Sequence, residues 1–278
     1  MNFAMLGGDD RSVRLCRLLR ADGHAVRPYA LEKELSDCAP TPAEALAGAQ
    51  AVILPLPCAK EGLLNAPLSE KTHPMDQLLE KIPPRTPVYA GKAGEIAAEC
   101  ARLGLPLHDY FAREELTVRN AALTAEGALE WMLRESDRAL LGSRVMLCGF
   151  GRIGRQLAPR LQAMGARVHV LARSAADRAW AESMGCAAWD LGQLPGPGRY
   201  DFVVNTIPAP LFGREELAFF GGALLLELAS PPYGFDAGAA RELGLRRLLA
   251  AGLPGLTAPE SAAEAVRDAI YHCMEESS

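Results

Sequence analysis

The sequence lacks paired cysteines. Its seven, Cys16, Cys38, Cys58, Cys100, Cys148, Cys186 and Cys273, form no C-x-x-C pair, and their number is odd. This argues against a disulfide framework and leads us to expect reduced thiols in a cytoplasmic protein. The five histidines show no H-E-x-x-H or other ligand spacing, so no metal site is expected. A membrane span is missing too. The most apolar stretch, Leu217 to Leu226, is broken by Gly221-Gly222 and stops at Glu227, roughly half the length needed. The opening run Met1 to Leu6 turns polar at Asp9, too soon for a secretory signal. Positive charge is not in excess: 29 Lys and Arg stand against 34 Asp and Glu, a net −5. That speaks against a nucleic-acid partner and makes any anion site a local matter. No repeat occurs, and no low-complexity tract beyond the turn Pro195-Gly196-Pro197-Gly198.

What is present is the pattern of a globular α/β protein long enough, at 278 residues, for two domains. Asn2 to Leu6 reads as a strand, followed by Gly7-Gly8-Asp9-Asp10-Arg11 and a helix with Val13, Leu15, Leu18 and Leu19 at helical spacing. Further strands are expected at Ala25–Tyr29, Ala51–Leu56, Val88–Ala90 and Leu105–Leu107, with a helix at Glu95–Arg102. From Ala112 to Leu141 the pattern is helical, with a break expected near Thr124. Strands at Arg144–Cys148, Arg167–Leu171, Phe202–Asn205 and Leu224–Leu228 then alternate with helices at Arg155–Met164 and Ala175–Met184. Ala258 to Met274 is a final amphipathic helix. The fold class is therefore two doubly wound parallel sheets: a smaller N-terminal α/β domain (1–120), a helical connector (121–141), a C-terminal Rossmann domain (142–257) and a terminal helix (258–278) expected to pack back on the first domain.

The motif that carries chemistry is Gly149-Phe150-Gly151-Arg152-Ile153-Gly154. It follows a strand and opens a helix, the context a dinucleotide-binding loop requires. Gly149 permits the tight turn, Gly151 the approach of a pyrophosphate, and Gly154 close packing of helix on sheet. The helix N-terminus offers its dipole to the phosphates. The next strand ends Leu171-Ala172-Arg173-Ser174, without the acid that would hold the ribose hydroxyls of NAD. Arg173, Ser174 and Arg178 instead suit a 2′-phosphate, which favours NADP, with NAD as the other cofactor to consider. Asn205-Thr206-Ile207-Pro208 and, after the following strand, Leu228-Ala229 lie where the nicotinamide and its ribose would sit.

On the substrate side, the loops Gly7–Arg11, Leu54–Pro57 and Gly91–Gly94 each follow a strand, so a parallel sheet gathers them at one edge, expected to face the Rossmann cleft. Asp9, Arg11, Lys60 and Lys92 are the binding candidates, suited to a carboxylate-bearing small molecule. At this point the chain resembles the dipicolinate synthase A-subunit family of spore-forming bacteria. The resemblance rests on Gly7-Gly8-Asp9-Asp10-Arg11, Leu54-Pro55-Leu56-Pro57, Asp109-Tyr110-Phe111-Ala112-Arg113-Glu114-Glu115-Leu116, Asn120, Thr124-Ala125-Glu126-Gly127-Ala128, the glycine loop, and Leu228-Ala229-Ser230-Pro231-Pro232. The chain departs from it at Glu227, where Asp is expected, and at Pro232-Tyr233-Gly234, where the family tends to have a glycine pair.

The resemblance implies an oxidoreductase subunit that forms pyridine-2,6-dicarboxylate from a hydroxy-tetrahydrodipicolinate or dihydrodipicolinate precursor, a branch from the lysine pathway, with hydride transfer to NAD(P). It also implies a partner, a flavoprotein-like B subunit, with self-association besides, and a place in the mother-cell cytoplasm during sporulation. His108, Asp109 and Glu126 are the candidates for the base, with His73 in a loop as a further one. Two other readings stand beside this one. The chain could be another NAD(P)-dependent amino-acid or hydroxy-acid dehydrogenase, for which the end of the chain offers only His272 as a catalytic histidine. Or it could be a non-catalytic nucleotide-binding regulatory subunit.

Overall fold

The computed structural model describes residues 1–194 and 199–276, so the expected Pro195-Gly196-Pro197-Gly198 turn lies outside the described residues. The chain divides into two units. The first comprises Met1–Asn120 and the segment from Ala258 on; the second is Ala121–Thr257.

In the first unit, β1 (Asn2–Leu6), β2 (Ala25–Tyr29), β3 (Ala51–Ile53), β6 (Val88–Ala90) and β7 (Leu107–Asp109) form a parallel sheet in the order β2-β1-β3-β6-β7. A short antiparallel ribbon, β4 (Ala59–Lys60) with β5 (Leu63–Leu64), lies in the connection between β3 and β6. The helices are α1 (Asp10–Ala21), α2 (Pro42–Leu46), α3 (Met75–Leu79) and α4 (Ala97–Leu103). Strand β1 is buried on both faces from Phe3 to Leu6, as an unbroken apolar run in a helix-covered parallel sheet must be. Helix α1 buries Val13, Leu15, Cys16 and Leu19, against which the last helix, α11 (Pro259–Glu276), sets Ala263, Val266, Ala269 and Ile270.

Two expectations shift here. The third strand stops at Ile53 rather than Leu56, because Pro55 and Pro57 have no N–H to give a ladder and the segment becomes a loop. The strand expected at Leu105–Leu107 is found at Leu107–Asp109, which puts His108 and Asp109 on the sheet.

Helix α5 (Glu114–Arg134) carries the chain from one unit into the next. The expected break near Thr124 is absent. The spacing of buried Ala121, Ala125, Ala128 and Met132 continues through it, and no proline interrupts. The helix ends at Arg134, short of the expected Leu141, and turns lead on to Ser143.

The second unit is a six-stranded parallel sheet: β8 (Arg144–Cys148), β9 (Arg167–Leu171), β10 (Ala187–Trp189), β11 (Phe202–Asn205), β12 (Leu224–Glu227) and β13 (Arg247–Leu249), in the order β10-β9-β8-β11-β12-β13. This is the 3-2-1-4-5-6 order of a dinucleotide-binding sheet. Its helices are α6 (Arg152–Ala163), α7 (Ala175–Ser183), α8 (Arg214–Phe219), α9 (Ala237–Glu242) and α10 (Leu253–Thr257). No described helix is long and apolar enough to cross a membrane.

Candidate functional site

Strand order reverses between β8 and β11, and a doubly wound sheet leaves its ligand crevice at the carboxyl ends of such a pair. Both loops that open there belong to the predicted motifs. The glycine loop runs from β8 into α6, whose N-cap is Gly151, with no side chain capping it. The three glycines differ in what surrounds them. Gly149 sits at φ +95°, and a Cβ on it would stand 2.3 Å from Thr206 Oγ1. On Gly154 a Cβ would stand 2.4 Å from the Gly149 carbonyl oxygen. A Cβ on Gly151 would meet nothing within 4 Å. Two glycines thus let the chain pack against itself, while the third borders open space at an uncapped helix N-terminus. A pyrophosphate fits such a place. Phe150 is buried in the core, and its carbonyl accepts from Arg155 Nε at 3.1 Å.

The residues after β9 are arranged differently from what their types suggest. Arg178 does not reach outward. Its Nη1 donates to the carbonyls of Ala172 (2.8 Å) and Arg173 (2.9 Å) and to Asp190 Oδ2 (2.7 Å), so it braces the loop. Ser174 caps α7, its hydroxyl accepting from Asp177 N. Arg173 is left as the exposed cation at this strand end.

Asn205 does not face a ligand either. It is fully buried, as is Glu227 at the end of β12. Asn205 Nδ2 donates to Glu227 Oε1 (2.5 Å) and to the Ile207 carbonyl (2.9 Å), and Asn205 Oδ1 accepts from Ile207 N (3.1 Å). Glu227 Oε2 accepts from Gly234 N (2.9 Å) and Phe235 N (3.2 Å), with Arg247 Nη2 an ion-pair partner at 3.8 Å. One buried amide–carboxylate pair therefore ties down both the Thr206-Ile207-Pro208 turn and the loop from Leu228 to Phe235. Thr206 Oγ1 is spent on the Cys148 carbonyl (2.9 Å), and Leu228 and Ala229 are buried. The sequence marks Glu227 as an acid closing an apolar strand, at a place where the resemblance expects Asp, but not as the residue that holds these loops.

The first unit has its own point of reversal, between β1 and β3. Asp9, Arg11, Leu54, Leu56 and Tyr110 line a small recess there. Arg11 Nε and Nη2 grip both oxygens of Asp9, at 2.7 to 3.1 Å, and Nη2 also donates to the Leu56 carbonyl across the reversal. Its charge is met within the fold. Tyr110 is buried and donates to the Leu54 carbonyl at 2.9 Å; burial pushes its hydroxyl pKa well above the ordinary value. Asp109 accepts from the backbone N–H groups of Lys92 (3.1 Å), Ala93 (2.9 Å) and Phe111 (2.9 Å), the work of a turn-forming carboxylate. His108 is half-buried and stacks on Tyr89, ring centres 5.0 Å apart. Lys60 and Lys92 are exposed, the latter with its amine 5.6 Å from the Phe111 ring. Glu126 belongs to the other unit, an exposed residue of α5 whose carboxylate lies 3.5 Å from Arg160.

A glycine loop at the reversal of a 3-2-1-4-5-6 parallel sheet, joined in one chain to a second parallel α/β unit, defines a two-domain nicotinamide-dinucleotide dehydrogenase fold. Residues 115–214 match the NAD-binding domain of D-isomer specific 2-hydroxyacid dehydrogenases. Residues 2–111 match the N-terminal domain of the dipicolinate synthase A subunit. The chain is 28% identical to the A subunit of dipicolinate synthase from Bacillus subtilis over 289 residues, covering 99% of this chain and 96% of the relative. The crystal structure of that Bacillus subtilis protein superposes with a TM-score of 0.84 at 25% identity, over 99% of this chain and 96% of that one. A transhydrogenase from Sinorhizobium meliloti shares the fold alone, with a TM-score of 0.67 at 17% identity over 98% and 93% of the two chains. Along nearly its whole length the chain is thus similar to the A subunit of dipicolinate synthase.

Proposed function

We propose that this chain is the nicotinamide-binding subunit of an oxidoreductase that forms pyridine-2,6-dicarboxylate from a hydroxy-tetrahydrodipicolinate or dihydrodipicolinate precursor, acting with a flavoprotein-like B subunit in the cytoplasm. The observation that carries this reading is that the substrate-side unit, and not the cofactor unit alone, matches the dipicolinate synthase domain. The cofactor unit by itself is common to many dehydrogenases.

The residues fit a dinucleotide. Gly149 to Gly154 and the start of α6 would hold its pyrophosphate. Arg173, exposed where an acid would favour NAD, would meet the 2′-phosphate of NADP. When bound, the dinucleotide accepts a hydride. The chain itself supplies orientation. Asn205 and Glu227 hold the two loops at the strand ends in one arrangement, and fixed placement of reactants is the main source of rate when the product gains aromaticity. The substrate is a dianion. Lys92 and Lys60 are its exposed cationic contacts, whereas Arg11, already paired to Asp9, shapes the floor of the recess and steadies the Leu54–Pro57 loop.

The test is turnover of the precursor by the purified chain with and without the B subunit, following absorbance of the reduced nicotinamide and of dipicolinate. Both should appear together when the two proteins are mixed. Dipicolinate formed without any change in nicotinamide would overturn the reading. In the same assay, Lys92→Ala should raise KM about tenfold while dinucleotide affinity holds.

A further inference from the structure

The first turn of α1 holds two hydrogen-bond donors that the fold leaves unused. Asp9 is the N-cap, so Arg11 and Ser12 are the second and third residues of the helix. Helical spacing turns Ser12 to the buried side with Leu15, Cys16 and Leu19, and only 5% of it is exposed. A polar group so placed usually finds a partner. The Ser12 N–H has one, donating to the Asp9 carbonyl at 2.8 Å, but its hydroxyl bonds to no described residue. The Gly7-Gly8 loop is shaped around that hydroxyl. Gly8 sits at φ +117°, and a Cβ on it would stand 1.8 Å from Ser12 Oγ.

Arg11 has a similar surplus. Its Nε and Nη2 donate to Asp9, and Nη2 also to the Leu56 carbonyl, while Nη1 bonds to no described residue. Ser12 and Arg11 line the same recess, at the β1–β3 reversal, and Leu15, Leu54, Leu56 and Val266 give it apolar walls. The Tyr110 hydroxyl proton is committed to the Leu54 carbonyl, and both Asp9 oxygens accept from Arg11. Among the described side chains of the recess, Ser12 Oγ and Arg11 Nη1 are therefore the donors still free. The recess, about 10 Å³ in volume, admits one oxygen atom and no ring. Arg11 and Asp9 cancel in charge, so what favours an anion there is the pair of free donors and the positive end of α1.

We propose that Ser12 Oγ and Arg11 Nη1 form a subsite that takes one carboxylate oxygen of the ring dicarboxylate, which makes Ser12 a substrate-binding residue. The proposal rests on the oxidoreductase reading above. The serine hydroxyl and the guanidinium both donate to that oxygen, and hydrogen bonds to a charged acceptor are about twice as strong as neutral ones. The ring stays outside the recess, and its other carboxylate is left to the exposed lysines. Because Arg11 is clamped by Asp9 and the Leu56 carbonyl, its free amino group is held in place before the substrate arrives.

The test is calorimetry with dipicolinate on the whole protein, with dinucleotide bound and the B subunit present. Ser12→Ala removes a hydroxyl that no described residue bonds, and alanine favours a helix, so the variant should melt at or above the wild-type temperature. Its dipicolinate affinity should fall about tenfold. KM for the precursor should rise by a similar factor while kcat and dinucleotide affinity hold. A serine that served only the fold would show the reverse, a lower melting temperature with dipicolinate affinity unchanged. Ser12→Asp brings its own carboxylate to Arg11 and should lose dipicolinate while dinucleotide still binds. Wild-type dipicolinate affinity in either variant overturns the subsite and leaves the oxidoreductase reading standing. A wild-type protein that binds no dipicolinate ends that reading, and the subsite with it.

Discussion

At the scale of single residues, the glycines of the α6 loop separate stability from binding. Gly151→Val adds a side chain to open space, so the fold should survive while the pyrophosphate's place is filled. Titration with NADPH should find no binding in a protein that melts like wild type. Gly154→Ala should do the reverse. Its Cβ would press on the Gly149 carbonyl, a contact backbone cannot relieve cheaply, so a loss of about 1–3 kcal/mol in denaturant stability is expected. Cofactor choice is also a one-residue matter. Arg173→Ala should weaken NADP by about 1–3 kcal/mol and leave NAD unchanged, measured as paired dissociation constants; equal effects on both would take Arg173 out of the site.

Cys16 carries a pH prediction of the same scale. It is fully buried on the inner face of α1, and burial pushes its thiol up to about 12 from an ordinary 9.0. Above pH 9 the unfolded chain loses this proton while the folded chain keeps it. Stability is therefore full below pH 9 and falls by about 1.4 kcal/mol per pH unit until the folded pKa is passed. Cys16→Ala should be less stable at pH 7, for the cavity it leaves, yet show a flatter decline between pH 9 and 12 in urea titrations.

Among elements, β12 controls more than its length suggests. Glu227 holds loop residues from Ile207 to Phe235 through Asn205 and two backbone N–H groups. Glu227→Gln puts an amide where those donors need an acceptor, leaving one buried and unmatched, at a cost of about 1–3 kcal/mol. Hydrogen exchange should rise at Gly234 and Phe235, and dinucleotide affinity should fall several-fold. Unchanged exchange there would show that the loops are held by other contacts. The two sheets and most of their strands are legible in the sequence, because buried parallel strands such as Val145–Cys148 and Phe202–Val204 are unbroken apolar runs. Strands β10 and β13 escaped notice, being three residues long and only partly buried at the sheet edges. The glycine loop was visible because its chemistry is local. The roles of Arg178, Asn205 and Asp109 were not, since a side chain's type does not tell whether its partner is a ligand or a carbonyl met by folding.

For the whole molecule, the division into units makes a separate claim. The first unit includes α11, whose Ala263, Val266, Ala269 and Ile270 cover Leu15 and Leu19 of α1. A chain stopped after Thr257 uncovers that apolar face. It should lose the cooperative melting of the first unit and bind hydrophobic dyes, while the second unit still binds dinucleotide. Loss of dinucleotide binding in that shortened chain would mean that the second unit needs the first to fold.

The interrupted first unit also bears on how the protein is made. A ribosome releases β1 and α1 before residues 121–257, and domains usually fold in the order they emerge. Here the nascent sheet of β1 to β7 must wait, one flank of α1 bare, while residues 121–257 are synthesised and can close on their own. Of the two units, the one begun earlier is thus the one finished later. During that interval the uncovered Val13, Leu15 and Leu19 are the surface a chaperone would find, and helix α11 completes a core begun more than two hundred residues earlier.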